Sequence, residues 1–347
     1  MALSKSIIEA PCVVFLGAGA SQILGLKLMK DFVGSLKNSN PPEKELFEAI
    51  CEQGEDLEYL FEELSSLETK EYLTFTSQQE GIYGLNSKVQ ATGHGIKAMA
   101  QSLSLWLKEK VFTHYRRIDE DSKKLLILAN ILKPFLHKFQ PLVVFTTNYD
   151  PVVETLCRTQ LNCTLIDGFR NDASRSEYFW DRDVFDKASF SSGESLVLFK
   201  LHGSANWVQS GSRVSKGASM FGRDDTLYKN VLIFPATRKV AIEDPYFTCY
   251  DYLGKCLSNA ELCLVIGYSF RDYDALTRFK AAEIQNPKLR ILVLDNMADE
   301  RIKFLSENGI QGTALPYVVG IQEDQYLPKL SGALANVRRR DEASVTA

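Results

Sequence analysis

Two apolar runs in this sequence are followed by polar side chains that can hold a ligand or transfer a proton. Asn148 and Asp150 follow the run Leu142–Phe145, and His202 follows the run Leu196–Leu201. A carboxamide both donates and accepts hydrogen bonds, and histidine has an unperturbed pKa of about 6.5, which allows proton transfer near neutral pH. Asp150 is also placed to cap a following helix. A catalytic site is one interpretation of the pattern. Helix capping and a structural histidine, which is the more common role of a lone histidine, are the alternatives.

A glycine-rich turn lies near the start of the chain. The apolar run Val13–Leu16 leads into the sequence GAGAS, called here the GAGAS turn (Gly17–Ser21), and a helical pattern follows. Such a turn binds phosphate in many folds because the helix N-terminus presents unpaired N–H groups. Gln22 occupies the third glycine place of the dinucleotide-binding fingerprint, which disfavours a hydride-transfer enzyme. A tight turn without any ligand is the alternative.

Six short apolar runs predict buried strands, and several are separated by helical patterns. They are Val13–Leu16, Leu142–Phe145, Leu196–Leu201, Val231–Phe234, Leu262–Ile266 and Ile291–Leu294. Uninterrupted apolar runs suit strands that are covered on both faces. The pattern predicts an α/β fold with a doubly wound parallel sheet of Rossmann type, in which ligands bind at the carboxyl ends of the strands. The GAGAS turn and the polar residues described above all follow predicted strands.

The region 38–140 is predicted to contain helices only, which indicates a helical subdomain inserted after the first strand and helix. Its last helix has an apolar face at three- and four-residue steps, formed by Leu125, Leu128, Leu132, Phe135 and Phe139. Residues 1–37 and 141–330 are then expected to form the nucleotide-binding domain. Residues 331–347 are expected to form a tail.

Composition and charge exclude several classes of protein. The 347 residues are 45% hydrophobic and 24% charged, which is a normal globular balance. The net charge of −4 gives no overall basic field, so direct binding of nucleic acid is not expected. No run approaches the roughly 18 apolar residues of a membrane span, and the first residues lack the core of a signal peptide. Seven cysteines without a Cys-x-x-Cys pair fit a reducing cytosol, so a cytoplasmic protein without membrane contact is predicted.

Five motifs, taken in order, resemble the sirtuin family. They are the GAGAS turn, the T-x-N-x-D strand end Thr146–Asp150, the pair His202-Gly203, the G-x-S turn Gly267–Ser269 and the pair Asp295-Asn296. The resemblance covers residues 10–37 and 140–297. It implies a sirtuin-like fold that takes NAD as its substrate.

Two departures separate the chain from the protein deacylases that it resembles. Those enzymes have a four-cysteine zinc module between the H-G and G-x-S motifs, whereas this region contains only Cys249, Cys256 and Cys263, so no zinc is expected. The chain also lacks the Pro-x-Phe-Arg segment that follows GAG-x-S in deacylases. Its stretches FLGAGAS, TTNYD and LHGSANW are similar to divergent bacterial sirtuin-like domains that consume NAD in anti-phage systems. The resemblance therefore implies NAD hydrolysis more than deacylation.

The resemblance and the chemistry of NAD cleavage together assign roles to the motif residues. Loss of nicotinamide passes through an oxocarbenium-like state, so the protein must hold the dinucleotide, stabilise the ribosyl cation and deliver water. Asn148 is expected to hold the nicotinamide ribose or the water, His202 to act as general base, and Asp150 to orient them. The expected NAD-binding residues are Gly17, Ala18, Gly19, Ala20, Ser21, Thr147, Gly267, Ser269, Asp295 and Asn296.

The biological role implied by the resemblance is that of an NAD glycohydrolase effector in bacterial anti-phage defence. Unrestrained depletion of NAD would kill the host, so the activity must be gated by oligomerisation, a partner or an occluding loop. Expected partners are further copies of the chain and a sensor or ATPase protein, such as a DNA translocase or an Argonaute-like protein. Two alternatives stay open: a non-catalytic module that senses NAD or ADP-ribose, and an NAD-dependent deacylase or ADP-ribosyltransferase.

Overall fold

The computed structural model describes residues 6–53, 57–69, 93–116, 118, 120, 123–174, 177–188, 190, 193–216, 229–232 and 243–316. The chain divides into two compact units. The first unit comprises the described residues of 6–26, 116–232 and 243–316, and the second comprises those of 27–115. The predicted tail, 331–347, lies outside the described residues.

The strands and helices of both units are numbered along the chain. The strands are β1 (Cys12–Leu16), β2 (Leu142–Thr146), β3 (Thr164–Ile166), β4 (Phe169–Asp172), β5 (Glu177–Trp180), β6 (Ser195–Lys200), β7 (Gly203–Ser210), β8 (Arg213–Lys216), β9 (Lys229–Leu232), β10 (Leu262–Ile266), β11 (Arg290–Asp295) and β12 (Thr313–Pro316). The α-helices are α1 (Ala18–Gln22), α2 (Met29–Leu36), α3 (Lys44–Gln53), α4 (Leu57–Thr69), α5 (Gly93–Tyr115), α6 (Lys123–Lys138), α7 (Val152–Leu156), α8 (Asp183–Asp186), α9 (Tyr246–Leu257), α10 (Tyr273–Gln285) and α11 (Ala298–Glu307).

The first unit is built around a seven-stranded parallel sheet with the order β12-β11-β10-β1-β2-β6-β3. β1 pairs in parallel with β10 on one side and with β2 on the other. The chain thus extends the sheet in one direction through β2 and β6, and in the opposite direction through β10, β11 and β12. Such a reversal of strand order opens a crevice at the carboxyl ends of the strands on either side of it. The predicted α/β fold with a doubly wound parallel sheet is confirmed.

The two faces of this sheet are covered by different helices. Val14 and Leu16 of β1 pack in one core with α6 and α7, whereas Val13 and Phe15 pack in a second core with α9 and α10. All five residues of β1 are buried. Burial on both faces explains why the strand is apolar throughout instead of alternating with polar residues.

Five of the six predicted strands belong to this parallel sheet, as parts of β1, β2, β6, β10 and β11. Val231–Phe234 was predicted as a strand of the parallel sheet, and this prediction is wrong. Val231 and Leu232 are the last residues of β9, which belongs to a second sheet. Phe234 lies outside the described residues. The second sheet has the order β4-β5-β8-β7-β9 with antiparallel pairs, and the aromatic rings of Phe169, Trp180 and Trp207 pack together there.

The second unit contains α2, α3, α4 and α5, and every element described in it is a helix. Its limits differ from the predicted 38–140, because the described unit runs from Lys27 to Tyr115. The apolar face of α6 packs in the core of the parallel sheet, so this helix belongs to the first unit. None of the described helices combines the length and the apolar character needed to cross a lipid bilayer.

Candidate active site

The GAGAS turn at the end of β1 lies directly against the G-x-S turn at the end of β10. Gly17 N donates to Ile266 O at 2.9 Å, and Gly19 N donates to Gly267 O at 2.8 Å. A Cβ atom on Gly19 would lie 2.7 Å from Gly267 Cα, so the two turns require glycine for close packing. Ala20 N also donates within the turn, to Gly17 O. The turn therefore offers a phosphate fewer N–H groups than its sequence indicated.

A hydrogen-bonded network joins the ends of β1 and β2. Asn148 Nδ2 donates to Gly17 O and to Ser21 Oγ, both at 2.8 Å. Ser21 Oγ in turn donates to Asp150 Oδ2 at 2.7 Å. Because the Gly17 carbonyl can only accept, the amide nitrogen of Asn148, and not its oxygen, must face it. The network therefore fixes the orientation of the Asn148 carboxamide.

This orientation changes the expectation for Asn148. The sequence indicated that its side chain both donates and accepts toward a ligand. In the structure the two N–H bonds of the amide are donated within the protein, to Gly17 and Ser21. The group that Asn148 can offer a ligand is therefore its acceptor oxygen, Oδ1.

Asp150 is buried and serves the network and the following helix. Its Oδ1 accepts from Val152 N, the first residue of α7, at 3.1 Å. The N-cap position of α7 is occupied by Pro151, so Asp150 stabilises the turn before the helix and is not the helix cap that the sequence predicted. Burial raises the pKa of the Asp150 carboxyl, and the charge of Lys200 and the hydrogen bond from Ser21 act against that rise. Lys200 Nζ donates to Asp150 O at 2.5 Å and to Glu154 Oε1 at 3.3 Å. Sequence reasoning missed Lys200, whose signal was one lysine inside the apolar run LVLFKL.

The segment after β6 runs beside the segment after β2. Leu201 N donates to Thr146 O, and Ala205 N donates to Tyr149 O, both at 2.8 Å. The ring centroids of Tyr149 and His202 are 6.3 Å apart. The structure thus brings His202 to the same edge of the sheet as the residues next to Asn148.

His202 is hydrogen-bonded to Asp272, which lies between β10 and α10. The contact joins His202 Nε2 and Asp272 Oδ2, and both side chains are less than one tenth exposed. Sequence reasoning missed Asp272. The available signal was the stretch DYDAL, in which an aspartate precedes a helical pattern and so marks a helix start.

The other predicted binding residues take up different positions. Thr147 N donates to Leu16 O at 3.3 Å, and the Thr147 and Ser269 side chains are half-buried. Asp295 is buried, and its Oδ1 accepts from Met297 N at 2.8 Å, so this carboxylate stabilises its own turn. Asn296 is exposed. Direct hydrogen bonds thus connect Gly17, Ser21, Asn148 and Asp150, while a role for Asp295 and Asn296 stays a prediction.

Comparison with known proteins gives one family and a set of solved structures. Residues 142–312 match the family model described as a SIR2-like domain. A Sir2 homologue in complex with NAD has 13% identity and a TM-score of 0.44, with 96% of this chain and 92% of that chain covered. A mutant Sir2 homologue in complex with ADP-ribose has 16% identity and a TM-score of 0.43, with 96% of each chain covered. No match was found among curated proteins.

The matched range begins at the first residue of β2 and ends just before β12. It contains Asn148, Asp150, His202 and the G-x-S turn, whereas the GAGAS turn lies before it. The divergent anti-phage type stays a prediction. The SIR2-like character predicted from the motifs is confirmed over residues 142–312, which match the SIR2-like domain model.

Proposed function

We propose that this protein hydrolyses NAD to nicotinamide and ADP-ribose at the carboxyl ends of β1, β2, β6 and β10. The observation that carries the proposal is the fixed carboxamide of Asn148. Its nitrogen is held by Gly17 O and Ser21 Oγ, which leaves Oδ1 as the atom for a ligand. A prepositioned carbonyl dipole stabilises developing positive charge without reorganising during the reaction.

The reaction needs one bond broken and one formed at the anomeric carbon of the nicotinamide ribose. As the bond from C1′ to the nicotinamide nitrogen breaks, its electron pair neutralises the cationic ring, so the leaving group needs no general acid. Oδ1 of Asn148 accepts a hydrogen bond from the ribose or from the attacking water, and its partial negative charge stabilises the ribosyl cation. The water oxygen then bonds to C1′, and His202 takes the water proton as general base.

In this proposal Asp150 acts on Asn148 indirectly, through Ser21. It accepts from the hydroxyl of Ser21, and that hydroxyl accepts from Asn148. Asp150 accepts from the serine hydroxyl that accepts from the carboxamide, and this chain of hydrogen bonds supports the orienting role proposed for Asp150. Errors of about 1 Å in the position of a reacting group are enough to cost about 100-fold in rate.

NAD glycohydrolysis is preferred to protein deacylation because of the region between the H-G and G-x-S motifs. Cys249, Cys256 and Cys263 are all buried in the sheet and helix core. Among the described residues there is no group of three or more side chains suited to hold a metal ion. The absence of zinc stays a prediction, since residues 217–228 and 233–242 of this region are not described.

We also propose that the activity belongs to a bacterial anti-phage effector that is held inactive until it is triggered. Gating is required because free hydrolysis would exhaust the NAD of the cell. The proposed partners are further copies of the chain and a sensor or ATPase protein, of the DNA-translocase or Argonaute-like kind. The helical second unit is the proposed assembly surface, because the nucleotide-binding sheet is complete without it.

The test is to incubate the purified chain with NAD, alone and with the product of each neighbouring gene. Nicotinamide and ADP-ribose are quantified by chromatography. Asn148→Ala is the test variant, and Asn308→Ala, which alters a single bond at the C-terminal end of α11, is the matched control. We expect release by the wild type and by Asn308→Ala, and at least a 100-fold loss in Asn148→Ala.

Each alternative function has its own outcome in this test. Equal release by both variants would exclude this site. NAD binding without any release would favour the sensing module, and turnover of an acetylated peptide would favour the deacylase.

A further inference from the structure

Among the described residues, His202, Tyr250 and Ala275 each place a donor group against the carboxylate of Asp272. Oδ1 accepts from Ala275 N at 2.9 Å and so caps α10. Oδ2 accepts from Tyr250 OH at 3.1 Å and also contacts His202 Nε2. Asp272 and His202 lie 70 positions apart in the sequence, and both side chains are less than one tenth exposed. The contact therefore joins the end of β6 to the start of α10.

Tyr250 makes the direction of these hydrogen bonds clear. Burial and the neighbouring Asp272 charge raise the pKa of Tyr250, so it stays a phenol and donates. The backbone N–H of Ala275 can only donate. A carboxylate has no proton to donate, so Asp272 also accepts from His202. The imidazole proton therefore lies on Nε2, the nitrogen that faces Asp272.

We propose that Asp272 is a positioning residue that holds neutral His202 as the Nε2–H tautomer. A neutral imidazole has one protonated nitrogen and one lone pair, so this tautomer makes Nδ1 the atom that accepts a proton. In the proposed hydrolysis of NAD, Nδ1 of His202 takes the proton of the attacking water, and this catalytic consequence rests on the proposed function. The tautomer itself is a property of the resting protein.

A structural role for Asp272 is the competing explanation, because the residue caps α10. The two roles are separable by substitution. In Asp272→Asn the cap requires an oxygen facing Ala275 N, so the amide nitrogen must take the place of Oδ2, facing His202. That nitrogen donates to Nε2 and forces the proton onto Nδ1. Asp272→Ser also caps a helix well but is too short to replace the contact with His202.

The first measurement is the tautomer of His202, read from imidazole ¹⁵N chemical shifts of the full chain. The chain has four histidines, and the signal of His202 is assigned by its loss in His202→Gln. We expect the Nε2–H form in the wild type and the Nδ1–H form in Asp272→Asn. A wild-type Nδ1–H form, or an unchanged tautomer in a folded Asp272→Asn variant, would overturn the proposal. This readout does not depend on turnover, so it stands even when NAD is not hydrolysed.

The second measurement is NAD turnover together with the affinity for ADP-ribose. An inverted tautomer in a serine protease triad lowers kcat by about 10⁴-fold, so we expect Asp272→Asn to lose roughly 10³-fold or more in kcat. ADP-ribose affinity should change by less than about threefold. Asp272→Ser makes no hydrogen bond that fixes the tautomer of His202, so its kcat should fall less than that of Asp272→Asn. A purely structural role predicts equal losses, or greater loss in Asp272→Ser, because Asn and Ser cap helices about equally well. Either result would contradict positioning.

Discussion

Asn148 Nδ2 lies 2.8 Å from the carbonyl oxygen of Gly17, although the two residues are 131 positions apart in the sequence. This bond joins the polypeptide after β2 to the GAGAS turn after β1. The second N–H of the same amide goes to Ser21 Oγ. The GAGAS turn and the proposed catalytic asparagine are therefore joined by direct hydrogen bonds, so a substitution in the turn should change the position of the asparagine and the rate of the reaction.

The first prediction separates two roles for Ser21. The sequence predicted that Ser21 binds NAD, whereas in the structure its hydroxyl proton is donated to Asp150. Ser21→Ala should therefore lower kcat by about 10- to 100-fold through misplacement of Asn148, with KM for NAD changed by less than about threefold. Steady-state kinetics of nicotinamide release provide the measurement. Ser269→Ala is the matched variant for a direct phosphate contact, and a rise in KM alone for Ser21→Ala would restore the original role.

Much of this site was predictable because buried parallel strands are recognisable in a sequence as uninterrupted apolar runs. β1, β2 and β10 are buried at every position, so each appears as an apolar run with polar or glycine residues directly after it. Strand ends in a parallel sheet share one edge, which brings residues from distant runs together. The order of five motifs then predicted the family.

The features that were missed depend on contacts that sequence order does not encode. Asp272 looks like an ordinary helix cap, and only the fold places it against His202. Lys200 ends an apolar strand, and its two partners are Asp150, in the segment after β2, and Glu154, in the helix that follows. The limit of the helical unit was misplaced because an apolar helix face looks the same whether it covers a sheet or another helix. The short strands of the second sheet carry too few residues for a clear alternation.

The second prediction concerns the stability cost of the close approach between the two glycine turns. Gly267 has φ of +61°, and a Cβ there would lie 2.4 Å from Ala20 N. Gly211 in the turn between β7 and β8 has φ of +60° with nothing within 4 Å of a Cβ. Gly211→Ala should cost about 1–2 kcal/mol for its backbone conformation, and Gly267→Ala about 1–3 kcal/mol more for overpacking. Denaturant unfolding measures both, and equal costs would show that the turns can move apart.

The third prediction follows from the raised pKa of Asp150, which burial causes. In the unfolded chain this carboxyl ionises near its usual pKa of about 3.9, whereas the folded protein keeps the proton to higher pH. Folding therefore loses stability as the pH rises between the unfolded and the folded pKa, and the loss is constant above the folded pKa. The unfolding free energy of the wild type minus that of Asp150→Asn should fall over this interval and then level off. A difference that rises with pH would mean that Lys200 and Ser21 outweigh burial.

The last prediction concerns Cys163, which lies between the helical turn Cys157–Leu161 and β3. The Cys157 thiol donates a hydrogen bond to Cys163 and lowers its pKa, whereas burial raises the pKa of Cys12, Cys249, Cys256 and Cys263. Cys163 is also half-buried rather than enclosed. Because the thiolate is the nucleophile, Cys163 should be the first of these cysteines to react with iodoacetamide in the folded protein at pH 7–8.

Two variants of Cys157 test the cause of this reactivity. Cys157→Val removes the donor at similar volume, so the alkylation rate of Cys163 should fall severalfold at fixed pH, since each pKa unit changes the thiolate fraction by up to about tenfold. Cys157→Ser keeps a donor and should retain most of the rate. Peptide mass spectrometry over a time course measures both rates. Equal rates in the two variants would show that exposure alone, and not the hydrogen bond from Cys157, sets the reactivity of Cys163.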